Sequence, residues 1–369
     1  NIDDIDIACI YTPEEIKEKF KNSEFKIVDT GIEHGSITII INLSKFEVTT
    51  LRQDIKTDGR HAEVFFTSDW QQDSERRDFT INSIYMDKKG KIYDPQNGRK
   101  DLEEKKIKFI GNPTLRIEED YLRIIRFIRF SIHYDCIQSD PQIIEAIKFN
   151  LNGIKNLSKE RILSELYKIF RLKNINIILE NKDIKAIFLI IFPEFKYLER
   201  LGYLYYLLEK NILPHSIETI FAILLIDKKD NFEYFCHKYK ISNKLKNDLN
   251  LISNNYIKFK YEKNFLKKDL KKNIYNYGKA NIKLLIKFAY CTEIKFSAKL
   301  LNNLLDEIEK IEIPSFPFNG QYLKEQGLTE GKEIGFVLKE LEKEWLEKDF
   351  DLKNNEAISI VNNLKNQAY

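Results

Sequence analysis

The most informative segment of this chain is Glu118-Glu119-Asp120-Tyr121-Leu122-Arg123-Ile124-Ile125-Arg126-Phe127-Ile128-Arg129. At about 100° per residue, an apolar stripe runs along one face of a helix, made of Ile117, Tyr121, Ile124 and Ile128. Polar residues occupy the opposite face at i, i+3 and i+6 spacing, where Asp120 is followed by Arg123, Arg126 and Arg129. The spacing predicts a single helix with a buried face and a row of guanidinium groups.

The pair Asp120 and Arg123 combines a hydrogen-bond acceptor with a fork of donors. Adenine and cytosine each present an amino donor next to a ring-nitrogen acceptor on the Watson–Crick edge, so this pair suits those two bases. Uracil and guanine present a carbonyl and a ring N–H there, which would place an acceptor against the Asp120 carboxylate and a donor against the Arg123 guanidinium. The alternative is an ion pair at i, i+3 on a solvated helix face.

Arginine is concentrated in one part of the chain. Of 60 Lys and Arg residues only 12 are Arg, nine of them lie between Arg52 and Arg129, and none follows Arg200. Lys serves elsewhere, and because Arg and Lys are not interchangeable at bidentate sites, the clustering favours recognition of phosphates or base edges. Chance clustering is the alternative.

Composition sets the broad class. The 369 residues exceed one compact domain, 43% are hydrophobic, and no apolar run is long enough for a membrane span, so we expect a protein without membrane segments. No secretion signal opens the chain, and four distant cysteines and five scattered histidines form no metal spacing. We therefore expect free thiols in the cytoplasm, or in an organelle matrix if the source is eukaryotic. With a net charge of +3, any nucleic-acid binding must come from local patches.

The secondary-structure signals change character along the chain. Thr12 begins a helix with a capping box closed by Glu15, and Ser158 begins the helix Lys159–Phe170. Three segments have the pattern of strands: Ser36–Leu43, Lys45–Arg52 and Ala62–Thr67. After about Pro113 the pattern is helical almost without interruption. We predict an α+β fold in which a mixed sheet is followed by an all-α region.

Acidic residues near the start of the chain form a candidate metal site. Asp4 and Asp6 flank one apolar residue, so both carboxylates lie on the same face of a short strand. Two hard oxygen ligands suit Mg²⁺ holding a nucleoside triphosphate. Glu47 alternates on another strand and is a candidate third carboxylate. Ordinary surface charges on strands are the alternative for all three.

Taken together, these residues resemble the DNA polymerase β-like nucleotidyltransferases, and among them the class II tRNA nucleotidyltransferase/bacterial poly(A) polymerase family. The resemblance is strong over Asp3 to Arg171 and weak beyond. It rests on the order and spacing of six segments: DIDIA at 4–8, FEVTTLR at 46–52, DGRHAEV at 58–64, RRDFTIN at 76–82, EDYLR at 119–123 and KERILSEL at 159–166.

The resemblance implies roles for individual residues. Asp4 and Asp6 would bind catalytic Mg²⁺, and Glu47, singled out by its place on the neighbouring strand, is our candidate for a third catalytic carboxylate. The nucleotide's ribose, phosphates and base would be bound by Arg77, Asp78, Asn82, Asp120, Arg123, Arg126 and Arg129. Within that set, Asp120 and Arg123 would act as a protein template that selects CTP and ATP.

The resemblance also implies a domain order: head 1–110, a helical neck 111–172 with the template helix, a helical body 173–265 and a tRNA-binding helical tail 266–369. Neck, body and tail would form an elongated all-α part. The family has a Gly-Gly-x-Val-Arg-Asp segment before Asp-x-Asp that cradles the triphosphate. The chain begins at Asn1 and cannot contain it. We expect an N-terminally incomplete head, because every downstream motif is intact.

Within the family, the segment 31–38 looks like the CCA-adding version. The segment 52–60 would be a flexible loop that switches specificity from C to A, with Asp54, Asp58 and Arg60 as its charged residues. We expect Mg²⁺-dependent addition of CCA to the tRNA 3′ end from CTP and ATP, without a nucleic-acid template. An A-adding enzyme or poly(A) polymerase, and an inactive RNA-binding protein, remain alternatives.

The partners expected are tRNA, CTP and ATP, with no membrane and no obligate protein partner. The lysine-rich stretch 258–279 has interleaved aromatic residues and is a candidate phosphate-binding patch. Its candidate tRNA contacts are Lys267, Lys268, Lys271 and Lys272. A solvated helix surface is the alternative.

Overall fold

The computed structural model describes residues 5–42, 44–57, 62–213, 215–227, 229–262, 264–292, 298–329 and 331–367. The chain divides into two compact units, Asn1–Asn243 and Lys244–Tyr369. The expected division into head, neck, body and tail stays a prediction. Within the described ranges, no helix combines the length and the apolar composition that crossing a membrane requires.

The first unit begins with a four-stranded sheet and one helix. The elements are β1 Asp6–Cys9, α1 Pro13–Phe20, β2 Lys26–Gly31, β3 Ser36–Ile41 and β4 Ser44–Thr50. The strand order is β1-β4-β3-β2, with β1 parallel to β4 and the other pairs antiparallel. The sheet is therefore mixed, as predicted.

Helix α1 covers one face of this sheet. Its start follows the predicted capping box, since the Glu15 amide donates to the Thr12 hydroxyl and the Thr12 amide donates to the Glu15 carboxylate. The buried contacts are made by Ile16, Ile37, Ile39 and Val48. Because side chains alternate along a strand, the residues between them point to the other face, which carries the candidate catalytic carboxylates.

Short elements follow the sheet: β5 Arg52–Thr57, β6 Ala62–Phe66, α2 Trp70–Glu75, β7 Tyr85–Met86, β8 Ile92–Tyr93 and α3 Gly98–Glu103. Two predictions need correction here. The strand predicted to run through Arg52 ends at Thr50, and Arg52 begins β5 instead. Part of the expected specificity loop is also strand, because β5 pairs antiparallel with β6. Of that loop, Asp58 and Arg60 lie outside the described residues.

The rest of the first unit is helical. Its helices are α4 Pro113–Glu119, α5 Leu122–His133, α6 Pro141–Asn150, α7 Lys159–Phe170, α8 Ile177–Glu180, α9 Lys182–Ile191, α10 Arg200–Glu209, α11 Ile217–Leu225 and α12 Asn231–Tyr239. Helix α7 has the predicted bounds, and the Arg161 amide donates to the Ser158 hydroxyl at its start. The α+β order predicted from the sequence is confirmed.

The helix predicted over 118–129 is wrong in one respect. Helix α4 ends at Glu119, and Asp120 is extended with φ −155° and ψ 104° before α5 begins at Leu122. The apolar stripe is nevertheless buried on both sides of this break, since Ile117, Ile124 and Ile128 are each 0% exposed. The break changes the direction in which Asp120 presents its carboxylate relative to α5.

The regular secondary structure of the second unit consists of helices within its described residues. Its helices are α13 Asn243–Tyr261, α14 Leu270–Tyr277, α15 Lys279–Thr292, α16 Ala298–Lys310, α17 Gly320–Glu325, α18 Gly331–Glu347 and α19 Asn354–Gln367. Trp345 is the largest side chain of a core that also contains Leu323, Leu341 and Val361. Gly327 has φ 87° just after α17, a left-handed conformation that suits glycine at the end of a helix.

Candidate active site

The uncovered face of the sheet brings two predicted carboxylates together. Asp6 and Glu47 are register partners on the parallel strands β1 and β4, so their side chains lie side by side on one face. Thr38 is the register partner of Glu47 on β3 and extends this polar row. Both carboxylates are exposed. The prediction that Glu47 shares a face with the Asp-x-Asp strand is confirmed, and Asp4 lies outside the described residues.

The chemistry of this face suits a hard divalent cation. Neither Asp6 nor Glu47 forms a hydrogen bond or an ion pair with another described side chain. Two exposed carboxylates without a protein cation are a suitable pair of oxygen ligands. Within the described part of the chain, no group of three or more His, Cys, Asp and Glu is arranged to hold a metal ion. The residues present therefore supply two ligands to such a site.

The predicted nucleotide contacts Arg77, Asp78 and Asn82 lie between α2 and β7. Asp78 accepts hydrogen bonds from Asn82 Nδ2 at 2.8 Å and from Arg126 Nε at 2.6 Å. Burial would raise the pKa of the Asp78 carboxyl, but the Arg126 guanidinium outweighs it and the pKa lies below its ordinary value. The structure thus joins predicted residues from two distant motifs, RRDFTIN and the α5 arginine row, at one ionised carboxylate.

Arg77 is held by a buried carboxylate that the sequence analysis did not single out. Asp73 is 0% exposed and pairs with Arg76 Nη2 at 2.7 Å and with Arg77 Nη2 at 3.0 Å. Arg116 also donates from Nη2 to the backbone carbonyls of Arg76 and Arg77, at 2.6 Å each. Both the side chain and the backbone of this arginine pair are therefore fixed by protein contacts.

The pair Asp120 and Arg123 is arranged differently from the prediction. Asp120 pairs with Arg161 Nη2 of α7 at 2.7 Å, and its other oxygen accepts the Leu122 amide at 3.1 Å. Arg123 pairs instead with Glu119 at 2.6 Å and donates to the Arg116 carbonyl at 2.7 Å. The alternative of a direct ion pair between Asp120 and Arg123 on a solvated face is wrong, since each has another partner.

Helix α5 presents its other arginines to α7. Glu165 is buried, and its Oε2 pairs with Arg129 Nε at 2.7 Å. Its Oε1 pairs with Lys168 Nζ at 2.9 Å and with Arg126 Nη1 at 3.8 Å. Burial would raise the pKa of Glu165, and hydrogen bonding to Lys168 together with the two arginines lowers it overall. The row Arg123, Arg126 and Arg129 lies on one face of α5, as predicted, with each guanidinium bound to a carboxylate.

The remaining predicted site residues lie elsewhere. In β5, Arg52 Nε and Asp54 Oδ1 form an ion pair at 3.4 Å. The four lysines proposed to bind tRNA belong to the second unit, at the start of α14: Lys267, Lys268, Lys271 and Lys272. Lys267 and Lys268 are exposed, whereas Lys271 is half-buried with its ammonium 4.6 Å from the centre of the Phe350 ring. These contacts are compatible with a phosphate-binding surface and with a solvated one.

Comparison with known proteins relates this geometry to a family. Residues 1–108 match the model of the Poly A polymerase head domain, and residues 138–198 match the model described as the probable RNA and SrmB binding site of polymerase A. The chain is 33% identical to the mitochondrial CCA tRNA nucleotidyltransferase 1 of Danio rerio over 97% of its length and 83% of that protein. The human enzyme of the same name gives 33% identity over 97% and 82%. The chain belongs to the CCA tRNA nucleotidyltransferase family.

Solved structures agree with this assignment at the level of the fold. The CCA-adding enzyme of Bacillus stearothermophilus in complex with CTP has a TM-score of 0.77 at 20% identity, covering 100% of this chain and 90% of that one. The Thermotoga maritima CCA-adding enzyme complexed with tRNA has a TM-score of 0.59 at 21% identity, covering 99% and 87%. The predicted resemblance and the predicted fold class are confirmed.

In this member of the CCA tRNA nucleotidyltransferase family, several residues that hold the site were not predicted from sequence: Asp73, Tyr85, Arg116, Glu119, Arg161 and Glu165. Arg161 and Glu165 lie in a segment that contributed to the resemblance and are spaced i, i+4 on α7, which puts both on the face toward α5. That spacing was a usable signal. Asp73 lies three and four positions before Arg76 and Arg77, its ion-pair partners, so its spacing was also a usable signal. The contacts of Arg116 with the backbone carbonyls of Arg76 and Arg77 carried none, because they are set by the tertiary fold.

Proposed function

We propose that this protein adds CCA to the 3′ end of tRNA, using CTP and ATP and no nucleic-acid template. The observation that carries the proposal is the identity to CCA tRNA nucleotidyltransferases along 97% of the chain. The site adds support, since exposed carboxylates and an ordered set of arginines lie in the same compact unit. Nucleotidyl transfer needs both kinds of group, one to hold a metal and one to bind an anionic nucleotide.

We assign Mg²⁺ to Asp6 and Asp4, with Glu47 as the neighbouring catalytic carboxylate. A bound divalent cation would neutralise charge on the triphosphate during transfer. Asp6 and Glu47 contribute two carboxylates on adjacent strands, and both side chains are exposed. This assignment gives a function to two exposed carboxylates that have no cationic partner among the described side chains of their unit.

We assign nucleotide binding to Arg77, Asp78 and Asn82, with Arg126 and Arg129 supporting them from α5. Asp78 would accept from the ribose hydroxyls, and its orientation is fixed by Asn82 and Arg126. The partly exposed Arg77 guanidinium would donate to phosphate oxygens. All of these side chains are held before a nucleotide arrives, which reduces the entropy cost of binding.

We assign base selection to Asp120 and Arg123. Asp120 would accept the amino proton of cytosine or adenine, and Arg123 would donate to the adjacent ring nitrogen. Uracil would leave two groups unpaired, and each costs on the order of 1–3 kcal/mol, so discrimination of about a thousandfold is within reach. Arg123 would have to share its guanidinium between the base and Glu119, its present partner.

We assign tRNA binding to contacts with shape and phosphates, because double-stranded RNA is recognised through its backbone and 2′-hydroxyls. The lysines 267, 268, 271 and 272 of the second unit are our candidates for part of that surface. The segment 52–60, with Asp54, Asp58 and Arg60, is our candidate for the switch from C to A. The expected location is the cytoplasm or an organelle matrix, without an obligate protein partner.

The test is addition to a defined tRNA. A transcript that ends at position 73 is incubated with the protein, Mg²⁺ and either CTP, ATP or both, and the products are resolved at single-nucleotide resolution. We expect two additions with CTP alone and three with both nucleotides. Addition of A alone, or RNA binding without any addition, would contradict the proposed function.

A further inference from the structure

Asp73 occupies the centre of a hydrogen-bond network in the first unit. Its carboxylate is 0% exposed and accepts from three side chains and one backbone amide. The donors come from three separate elements: Arg52 of β5, Arg76 and Arg77 after α2, and Tyr85 of β7. No role is assigned to Asp73 by the proposed function.

The two carboxylate oxygens of Asp73 serve different partners. Oδ1 accepts a hydrogen bond from the Arg52 amide at 3.1 Å. It also accepts two from Arg76, from Nε at 2.9 Å and from Nη2 at 2.7 Å. Oδ2 accepts Arg77 Nη2 at 3.0 Å and the Tyr85 hydroxyl at 2.7 Å. Arg76 Nε also donates to the Arg52 carbonyl at 3.1 Å. One carboxylate therefore fixes the start of β5 relative to the Arg77 guanidinium.

This network depends on the negative charge of Asp73. Burial would raise the pKa of its carboxyl, but the guanidinium groups of Arg76 and Arg77 and the hydrogen bond from Tyr85 lower it overall. The Tyr85 hydroxyl remains protonated, because burial and the adjacent carboxylate raise its pKa. A neutral amide at position 73 would leave the guanidinium groups of Arg76 and the partly exposed Arg77 without this counter-charge, and it could accept with only one oxygen.

Arg76 and Arg77 differ in what remains available to a ligand. The Arg76 side chain is 11% exposed, and its contacts are with Asp73 and the Arg52 carbonyl. The Arg77 side chain is 31% exposed, so part of its guanidinium faces solvent while Nε and Nη2 point at Asp73. Asp73 thus sets the direction of the guanidinium that reaches the nucleotide site.

We propose that Asp73 is a positioning residue that aligns Arg77 with the phosphates of the incoming nucleotide and ties this alignment to the start of β5. The proposal rests on the assignment of Arg77 to the nucleotide. A guanidinium with two nitrogens fixed on Oδ2 presents its exposed edge in one orientation, which favours binding of triphosphate at a small cost in side-chain entropy. Asp73 touches neither substrate nor metal in this scheme.

The test compares three variants of the full chain. Asp73→Asn removes the charge with little change of volume, and Tyr85→Phe keeps the charge but removes one donor to Oδ2. Glu194→Gln is the matched control, because Glu194 is 5% exposed and pairs with Lys238 Nζ at 2.6 Å among residues unrelated to the nucleotide. KM and kcat for CTP and ATP are measured with thermal unfolding of each variant.

We expect Asp73→Asn to raise the KM of both nucleotides by about 10- to 100-fold, more than it lowers kcat, since a charge-assisted contact is misplaced. Tyr85→Phe should raise KM by roughly threefold, in the range of one ordinary hydrogen bond. Glu194→Gln should lower the unfolding temperature as Asp73→Asn does, with KM unchanged. If Asp73→Asn loses stability but keeps its KM, Asp73 is merely structural and the proposal is wrong.

Two further outcomes remain decisive. Should Asp73→Asn fail to fold, Tyr85→Phe still tests the proposal, and an unchanged KM in that variant would overturn it. Direct binding of CTP and ATP, measured by equilibrium dialysis, separates this proposal from the proposed function. If the wild-type chain binds both nucleotides but transfers neither, the proposed function fails, and weaker binding by Asp73→Asn would still support the role of Asp73.

Discussion

The carboxylate face of the sheet and the arginine row of α5 belong to the same compact unit, yet their charged side chains differ in exposure and in ion pairing. Asp6 and Glu47 are exposed and form no ion pair with the described side chains. Arg123, Arg126 and Arg129 are mostly covered, and each is bound to a carboxylate. A buried charge must be paired, whereas an exposed one can remain free for a ligand. Substitutions on the carboxylate face should therefore lower activity alone, whereas substitutions in the arginine row should lower both activity and stability.

Removing an exposed carboxylate should have the largest effect on activity and little effect on folding. For Asp6→Ala we expect nucleotide addition to slow by about a thousandfold or more, equivalent to several kcal/mol of transition-state stabilisation. The unfolding temperature and tRNA binding should stay unchanged, because Asp6 holds no protein group. Glu47→Ala should act in the same direction. Primer extension, filter binding and calorimetry measure the three quantities.

The control for this prediction is Glu18→Ala on α1. Glu18 is an exposed carboxylate whose partner is Lys21, three residues further on and just after the end of α1. It should retain full activity, since surface pairs of this kind contribute little. If Asp6→Ala extends the primer at a rate near that of Glu18→Ala, the assignment of Mg²⁺ to Asp6 is wrong.

Breaking a pair in the arginine region should affect both activity and stability. For Asp78→Asn we expect KM for nucleotides to rise about 10- to 100-fold and the unfolding free energy to fall by on the order of 3 kcal/mol. The reason is that Arg126 would lose the carboxylate at 2.6 Å and keep only Glu165, at 3.8 Å. Urea denaturation and steady-state kinetics provide the two numbers. A large drop in stability with normal KM would leave Asp78 as a structural residue.

The lysines of the second unit should give a smaller and more uniform effect. Replacing Lys267, Lys268, Lys271 and Lys272 by Glu should weaken tRNA binding and flatten its salt dependence, by about one unit of slope for each of these lysines that binds a phosphate. The control replaces four exposed lysines elsewhere in that unit: Lys332, Lys339, Lys343 and Lys353. Equal salt slopes in both variants would mean that the first four lysines only solvate a helix.

Acid should destabilise the arginine region through its depressed carboxyl groups. Because the pKa of Asp78 is lower in the folded protein, this group stabilises the fold above its unfolded pKa and ceases to do so as pH falls through its folded pKa. Wild-type stability should therefore drop as the pH is lowered below about 4, and that of Asp78→Asn should drop less steeply. Parallel curves for the two proteins would contradict this. Denaturation across that pH range measures the difference.

Local features of the chain were predictable from sequence because their causes are local. The capping box at Thr12 and the bounds of α7 follow from residues within four positions of each other. The shared face of Asp6 and Glu47 follows from alternation along strands. The residue types and spacing of the charged motifs singled out Asp78 and Arg126, which the fold brings together.

The ion pairs that join separate motifs were not predictable, because they connect residues far apart in sequence. Asp120 is bound by Arg161, 41 positions away, and Asp78 by Arg126, 48 positions away. The break at Asp120 was also hidden, since Ile117 and Ile124 are buried on both sides of it and preserve the helical period. Periodicity reports which side chains are buried and not whether the backbone between them is continuous.

Base selection by Asp120 and Arg123 can be tested by steady-state incorporation of all four nucleotides. We expect Asp120→Ala combined with Arg123→Ala to lower discrimination against UTP and GTP by about tenfold or more, beyond any general decrease in rate. Arg161→Met is the companion variant, because it removes the present partner of Asp120 and keeps both template residues. Arg161→Met should slow addition but keep the preference for CTP and ATP over UTP and GTP. If the double variant slows all four nucleotides equally, Asp120 and Arg123 do not select the base.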